Sequence, residues 1–259
     1  MLDERLIASL HMKAERREAV GAREHDDEIF QASTIEALLH GRFEGDLSFA
    51  ELAGHGDLGL GTLNGLDGEM IAIDGRFYRA DVDGVVAEID PSRRTPFAVV
   101  INFEPEIRAV VDEPLGFAEL KAFIDGIAAR GDGRPACALR LDGDFERLHL
   151  RSVPAQTPPY RSLVDVAREQ NEFELADVSG SLVGFRFPEW AEGVELAGWH
   201  LHFIDSERGR GGHVLDLVLR SGELAVDPSE DLHLELPRGV ELPSGTLGDE
   251  GSRSLHDAE

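Results

Sequence analysis

Gly198-Trp-His-Leu-His-Phe-Ile204, Asp205-Ser-Glu-Arg-Gly-Arg-Gly-Gly212 and His213-Val-Leu-Asp-Leu-Val-Leu219 form one continuous stretch. Two apolar runs flank a polar, glycine-rich connection, the pattern of a β-hairpin with a longer loop. His200 and His202 stand two residues apart, so on a strand both imidazoles project from one face. If the hairpin folds back on itself, His213 opens the return strand opposite His202. Three imidazoles converging from a rigid scaffold suit a catalytic zinc, which takes protein nitrogens at ~2.0–2.1 Å and keeps one position open. The alternative is a histidine-bearing strand pair that holds no ion.

Working outward, period-two patterning runs through residues 57–90, where Asp67-Gly68, Asp74-Gly75 and Asp83-Gly84 punctuate short apolar runs as a β-meander. Thr95-Pro-Phe-Ala-Val-Val-Ile-Asn-Phe103 reads as a buried strand. A helix is expected where Phe117, Leu120, Phe123, Ile124 and Ile127 share a face, ending at Gly131. Ser33-Thr-Ile-Glu36 reads as a capping box before a helix closed by Gly41, and a second short helix starts at Ser48-Phe-Ala-Glu51 and stops at Gly54. Ala136–Leu141 and Phe145–Arg151 read as a strand pair about an Asp142-Gly143 turn. A helix is expected from Ser162 to about Phe173, and strands at Ser181–Phe187, Glu223–Val226 and Leu232–Leu236.

These elements predict a strand-rich α/β protein, one large domain or two interlocked lobes, with helices flanking mixed β-sheets and the zinc site on the hairpin. The expected organisation is a charged extension at 1–26, helical or loose, and an N-terminal lobe at 27–157. A C-terminal lobe follows at 158–243, with a polar, glycine-rich tail at 244–259. The lobe boundary is placed at the Pro154, Pro158 and Pro159 breaks.

Composition narrows the function classes. Across 259 residues there are 51 Asp+Glu against 25 Lys+Arg, a formal net charge of −26. Such a surface repels phosphate backbones and anionic lipid, so no nucleic acid and no membrane partner is expected. Only Lys13 and Lys121 are lysines, and acidic excess with so few lysines suggests adaptation to concentrated salt. Cys137 is the single cysteine, lies in an apolar run, and reads as an inert buried thiol. No apolar run reaches membrane-spanning length and residues 1–10 lack the apolar core of a signal, so a cytoplasmic location is expected.

Further segments stand out: Gly59-Leu-Gly-Thr62 with Leu66-Asp-Gly-Glu69, Thr95-Pro-Phe-Ala98, Arg151-Ser-Val-Pro154, and a tail ending Leu255-His-Asp-Ala-Glu259. Together with His-x-His and Gly211-Gly-His213, these motifs resemble the alpha-acetolactate decarboxylases, in the same order from about Ile29 through Leu219. The resemblance implies a two-lobed α/β homodimer that converts 2-acetolactate to acetoin and carbon dioxide, a step toward acetoin and butanediol. It implies that His200, His202 and His213 hold Zn2+, and that Arg151 lies beside the substrate carboxylate and oxygens. Glu69 and Glu259 would be catalytic carboxylates, and Thr62 would line the substrate pocket. His55 and His233 read as structural or exposed. A second reading takes His200-x-His202 with Glu207 as a cupin-like motif of a metal-dependent dioxygenase. A metal-stabilised small-molecule binding protein is a third.

Overall fold

The computed structural model describes residues 11–16, 28–128, 136–229 and 231–240. Two sheets dominate. The first follows the order His11–Arg16 (β1), Asp231–Leu236 (β16), Ile29–Ala32 (β2), Ala98–Ile101 (β9), Leu58–Thr62 (β4), Glu69–Ile73 (β5), Arg76–Ala80 (β6) and Val86–Glu88 (β7). Only the β1–β16 and β16–β2 pairs in it are parallel. The second sheet follows the order Ile107–Val111 (β10), Gly211–Ser229 (β15), Ala136–Ser152 (β12), Asn171–Phe187 (β13) and Gly198–Asp205 (β14). Because β14 also pairs with β15, the strands β12, β13, β14 and β15 close on themselves. A short pair, Leu47–Ser48 (β3) with Arg94–Thr95 (β8), lies apart, and Leu115–Gly116 (β11) adds to β15.

Strand alternation decides which side chains meet. On β5, Met70 and Ala72 pack with Phe49 and Leu52 on the far side of the first sheet. Ile71 and Ile73 turn the other way, into a core shared with Val183, Phe185 and Ile204 of the second sheet. On β14, Leu201 and Phe203 enter the interior of the closed strands with Leu139, Leu217 and Leu120 of the helix Phe117–Ala128. Each such side chain, fully buried, stabilises by roughly 1.5–3 kcal/mol. His200 and His202 stand on the opposite face of β14 and therefore look toward the first sheet.

Most expected elements are present, with instructive departures. Asp142-Gly143 does not turn. β12 runs straight through it, because Gly143 pairs with Gly180 on one side and Gly222 on the other. A Cβ at Gly143 would lie 2.6 Å from the Ser221 carbonyl oxygen, so three glycines abreast let three long strands approach closely. By contrast Asp74 and Gly75 both take positive φ (54° and 72°) and close the tight β5–β6 turn as expected. The helix expected to reach Phe173 ends at Ala167, and β13 starts at Asn171 to pair with β12 along its length. Thr34, not Ser33, caps the helix Ile35–Leu39; its hydroxyl accepts from Ala37 N, while Ser33 turns back at φ 68°. The expected second short helix, Phe49–Leu52, is present, and Ser48 and Glu51 form a capping box at its start.

Within the N-terminal extension, residues 11–16 form a strand, not a helix or loose segment, because β16 offers them a parallel edge. Sheet membership also divides the chain elsewhere than at the prolines. β10 and β12 precede them yet join the second sheet, while β16 returns to the first. Gly131 and the tail 244–259 lie outside the described residues.

Candidate metal centre and active-site pocket

The hairpin register sets His202 directly opposite His213, and the next strand sets Arg151 opposite His213. A single row across β14, β15 and β12 thus carries two imidazoles and a guanidinium, with His200 one side-chain period along β14. Ring centroids are 5.1 Å apart for His200–His202, 5.0 Å for His200–His213 and 5.4 Å for His202–His213. One nitrogen from each ring lies within 4.8 Å of the others, and all three residues are buried.

The first sheet closes the site from the other side. Glu69 and Thr62 pair across β4 and β5, on the face that carries Ile71 and Leu60 toward the second sheet. Gly61 lies beside them, and a Cβ there would sit 2.4 Å from the Phe97 carbonyl oxygen. The Thr62 hydroxyl donates to the Gly68 carbonyl at 2.8 Å, and Thr95 Oγ1 donates to the Thr62 carbonyl at 2.8 Å. The Asp67 carboxylate is gripped by Arg79 and Arg93, each at 2.7 Å, which anchors the turn leading into Glu69. His202, Glu69, Arg151 and Thr62 line one pocket of about 420 Å³ including its open mouth, walled on its apolar side by Ile35, Leu38, Val153 and Leu163.

The donor set fits a metal. His202 Nδ1 donates to the Met70 carbonyl at 2.8 Å, which leaves Nε2 with its lone pair toward the pocket. That Nε2 is buried and has no hydrogen-bond partner. Burial, then the charge of neighbouring His200 and Arg151, holds the His202 pKa well below the usual histidine value. A neutral imidazole is the form that ligates metals. With a neutral ring, the 3.5 Å contact between His202 Nε2 and Glu69 Oε2 is not an ion pair. Imidazole nitrogens suit zinc, copper, iron or nickel.

Of the residues expected at the site, His200, His202, His213, Arg151, Glu69 and Thr62 are brought together around one pocket. Glu259 lies outside the described residues. Glu207, the cupin-like ligand, is exposed in the hairpin turn and takes no part. Cys137 is buried and burial pushes its thiol up to about 12, in keeping with an inert role. Glu195 was not anticipated: it is 1% exposed and its Oε1 lies 3.6 Å from His200 Nδ1.

Comparison with known proteins gives a consistent picture. The family model described as alpha-acetolactate decarboxylase matches residues 29–247. The alpha-acetolactate decarboxylase of Methylococcus capsulatus is 42% identical over 234 residues, covering 90% of this chain and 89% of that protein. That of Klebsiella aerogenes is 43% identical over 216 residues, covering 83% and 82%. The crystal structure of acetolactate decarboxylase from Bacillus subtilis subspecies spizizenii superimposes with a TM-score of 0.83 at 32% identity, covering 90% of this chain and all of that one.

Proposed function

The chain belongs to the alpha-acetolactate decarboxylase family and is a carboxy-lyase, and from that premise we propose that it converts 2-acetolactate to acetoin and carbon dioxide at a zinc centre held by His200, His202 and His213. The observation that carries the reading is the convergence of three buried imidazoles, a buried arginine and a buried carboxylate on one pocket between the sheets. A zinc ion there would supply a Lewis acid without redox chemistry of its own.

The chain's own residues account for the remaining requirements. When carbon dioxide leaves, the electron pair of the broken bond moves onto the adjacent ketone oxygen, and a proton must later be returned to carbon. Arg151, 4% exposed and on the row with His213, binds the departing carboxylate and faces the oxygen that gains charge. Glu69, held by the Asp67 clamp, carries the proton to one face of that carbon and so sets the product's handedness. Thr62 spends its hydroxyl proton on Gly68, so it shapes the loop before Glu69 and presents only an acceptor to the pocket. The apolar wall of Ile35, Leu38 and Leu163 excludes water and receives the methyl groups. Glu259 is proposed as a second carboxylate.

The test is carbon dioxide release from racemic acetolactate, with and without a chelator, on the parent and on His202→Ala. Activity lost to the chelator and restored by zinc, with His202→Ala both inactive and zinc-poor, supports the assignment. Stoichiometric zinc and full turnover in His202→Ala would sink it. A role in acetoin and butanediol formation, a homodimeric state, a cytoplasmic location and indifference to nucleic acid complete the proposal. The last draws on the −26 net charge. Sedimentation gives the oligomer directly. No helix among the described residues is long and apolar enough to cross a membrane.

A further inference from the structure

Every metal-facing histidine needs its other nitrogen fixed, because the partner of that nitrogen sets the tautomer, the ring orientation and the basicity of the ligating atom. For His202 the fixing group is the Met70 carbonyl, delivered from the first sheet. For His200, Nδ1 lies 3.6 Å from the Glu195 Oε1. We propose that Glu195 is the positioning residue for His200, forming a carboxylate–histidine–metal relay in which Nδ1–H donates to the carboxylate and Nε2 faces the ion. The proposal rests on the three-histidine metal reading above.

Two observations support it. Glu195 is 1% exposed, and a carboxylate is retained at such a position only where it meets a donor or a positive charge. Its segment is also held in place by groups distant in sequence. Gln31 Nε2 donates to the Val194 carbonyl at 2.6 Å. Ile35 N donates to the same carbonyl at 3.0 Å, Glu36 N donates to the Gly193 carbonyl at 3.1 Å, and Glu195 N turns back to the Ala191 carbonyl at 3.0 Å. The backbone beneath His200 is therefore tied to β2 and to the start of the helix Ile35–Leu39. A separation of 3.6 Å is longer than a hydrogen bond. A shift of about 0.6 Å in either side chain brings the two atoms within hydrogen-bonding distance.

The experiment measures zinc affinity by competition with a fluorescent chelator for the parent, Glu195→Gln and Glu195→Leu, beside melting curves of the metal-free proteins. Second-sphere partners of ligating histidines change metal affinity ~10–100-fold. Glutamine keeps an acceptor without the charge and should weaken zinc by about tenfold, and leucine, with no acceptor, by about a hundredfold. Metal-free melting should separate this loss from simple unfolding, since the Gln variant should melt as the parent does. If the leucine variant fails to fold, the glutamine variant and a measurement on the parent decide. In ¹⁵N spectra of the zinc-loaded parent, His200 should show a protonated Nδ1 and a metal-bound Nε2. Zinc affinity equal to the parent's in Glu195→Gln and in any folded Glu195→Leu, or a zinc-bound Nδ1 on His200, overturns the Glu195 proposal alone. A parent that binds no zinc overturns both it and the metal reading.

Discussion

Glu69→Gln isolates proton transfer from geometry. The substitution keeps the volume of a side chain that is 7% exposed. The grip of Arg79 and Arg93 on Asp67, both 2.7 Å contacts, keeps the preceding turn in place, as does the bond from Thr62 to the Gly68 carbonyl. What changes is that the group at 3.5 Å from His202 Nε2 can no longer give up or take a proton. Loss of general acid–base help typically lowers a rate ~10²–10⁴-fold, which at about 1.36 kcal/mol per decade is roughly 2.7–5.4 kcal/mol of barrier. Because the substrate carboxylate is assigned to Arg151, the loss should fall on kcat, with KM changed by less than about threefold. Steady-state carbon dioxide release is the assay, with chiral chromatography of the acetoin beside it. If water replaces Glu69 as the proton source, the product should drift toward a racemate. Acetoin formed at the parental rate with unchanged handedness would reduce Glu69 to a turn residue and refute the reasoning.

Other outcomes follow from the same geometry. His202 has a folded-state pKa depressed below the usual histidine value, so between ~6.5 and that lower value the unfolded chain binds a proton that the folded one does not. Stability of the metal-free protein should therefore fall as pH drops below ~6.5, by up to about 1.4 kcal/mol per pH unit from this group, and His202→Asn should flatten that slope in urea titrations. Gly143→Ala should destabilise by about 1–3 kcal/mol, since its Cβ meets the Ser221 carbonyl at 2.6 Å. Gly126→Ala, in an exposed helix position with nothing within 4 Å, should stabilise by about 0.5–1 kcal/mol; calorimetry on the pair checks both signs. Deleting the last five residues should cut kcat sharply without releasing zinc if Glu259 reaches the site, and an unchanged rate would leave the proton work to Glu69. Melting temperature should rise from tenths of molar to molar salt as the −26 charge is screened, and a flat or falling series would count against salt adaptation.

The site draws its rigidity from being built across two layers. The second sheet contributes the histidines and Arg151 on adjoining strands, where cross-strand pairing sets spacing within an ångström. The first sheet contributes Glu69, Thr62 and the Met70 carbonyl. A change that slides one sheet over the other would part the Met70 carbonyl, Glu69 and Thr62 from the histidine row. The well-packed core between the layers, from Ile71 and Val99 to Val183 and Phe185, resists that movement.

The sequence by itself determined the hairpin and the face that carries its histidines. His-x-His on an alternating strand and a histidine after paired glycines already predict one face and one register, because a strand's side-chain period is two and a hairpin's return is local. The Asp74-Gly75 turn was equally local: both residues take the positive φ values that a two-residue turn needs. Asp142-Gly143 carries the same dipeptide and yet runs straight. Its conformation is decided by Gly180 and Gly222, which lie far along the chain and only the assembled strands bring abreast. Glu195 likewise carries no mark in its neighbourhood. It comes to lie beside His200 because Gln31, 163 residues from Val194, ties its segment down. Local periodicity fixes which face a side chain uses, whereas close approach between distant strands is a property of packing, and only the tertiary structure could decide it.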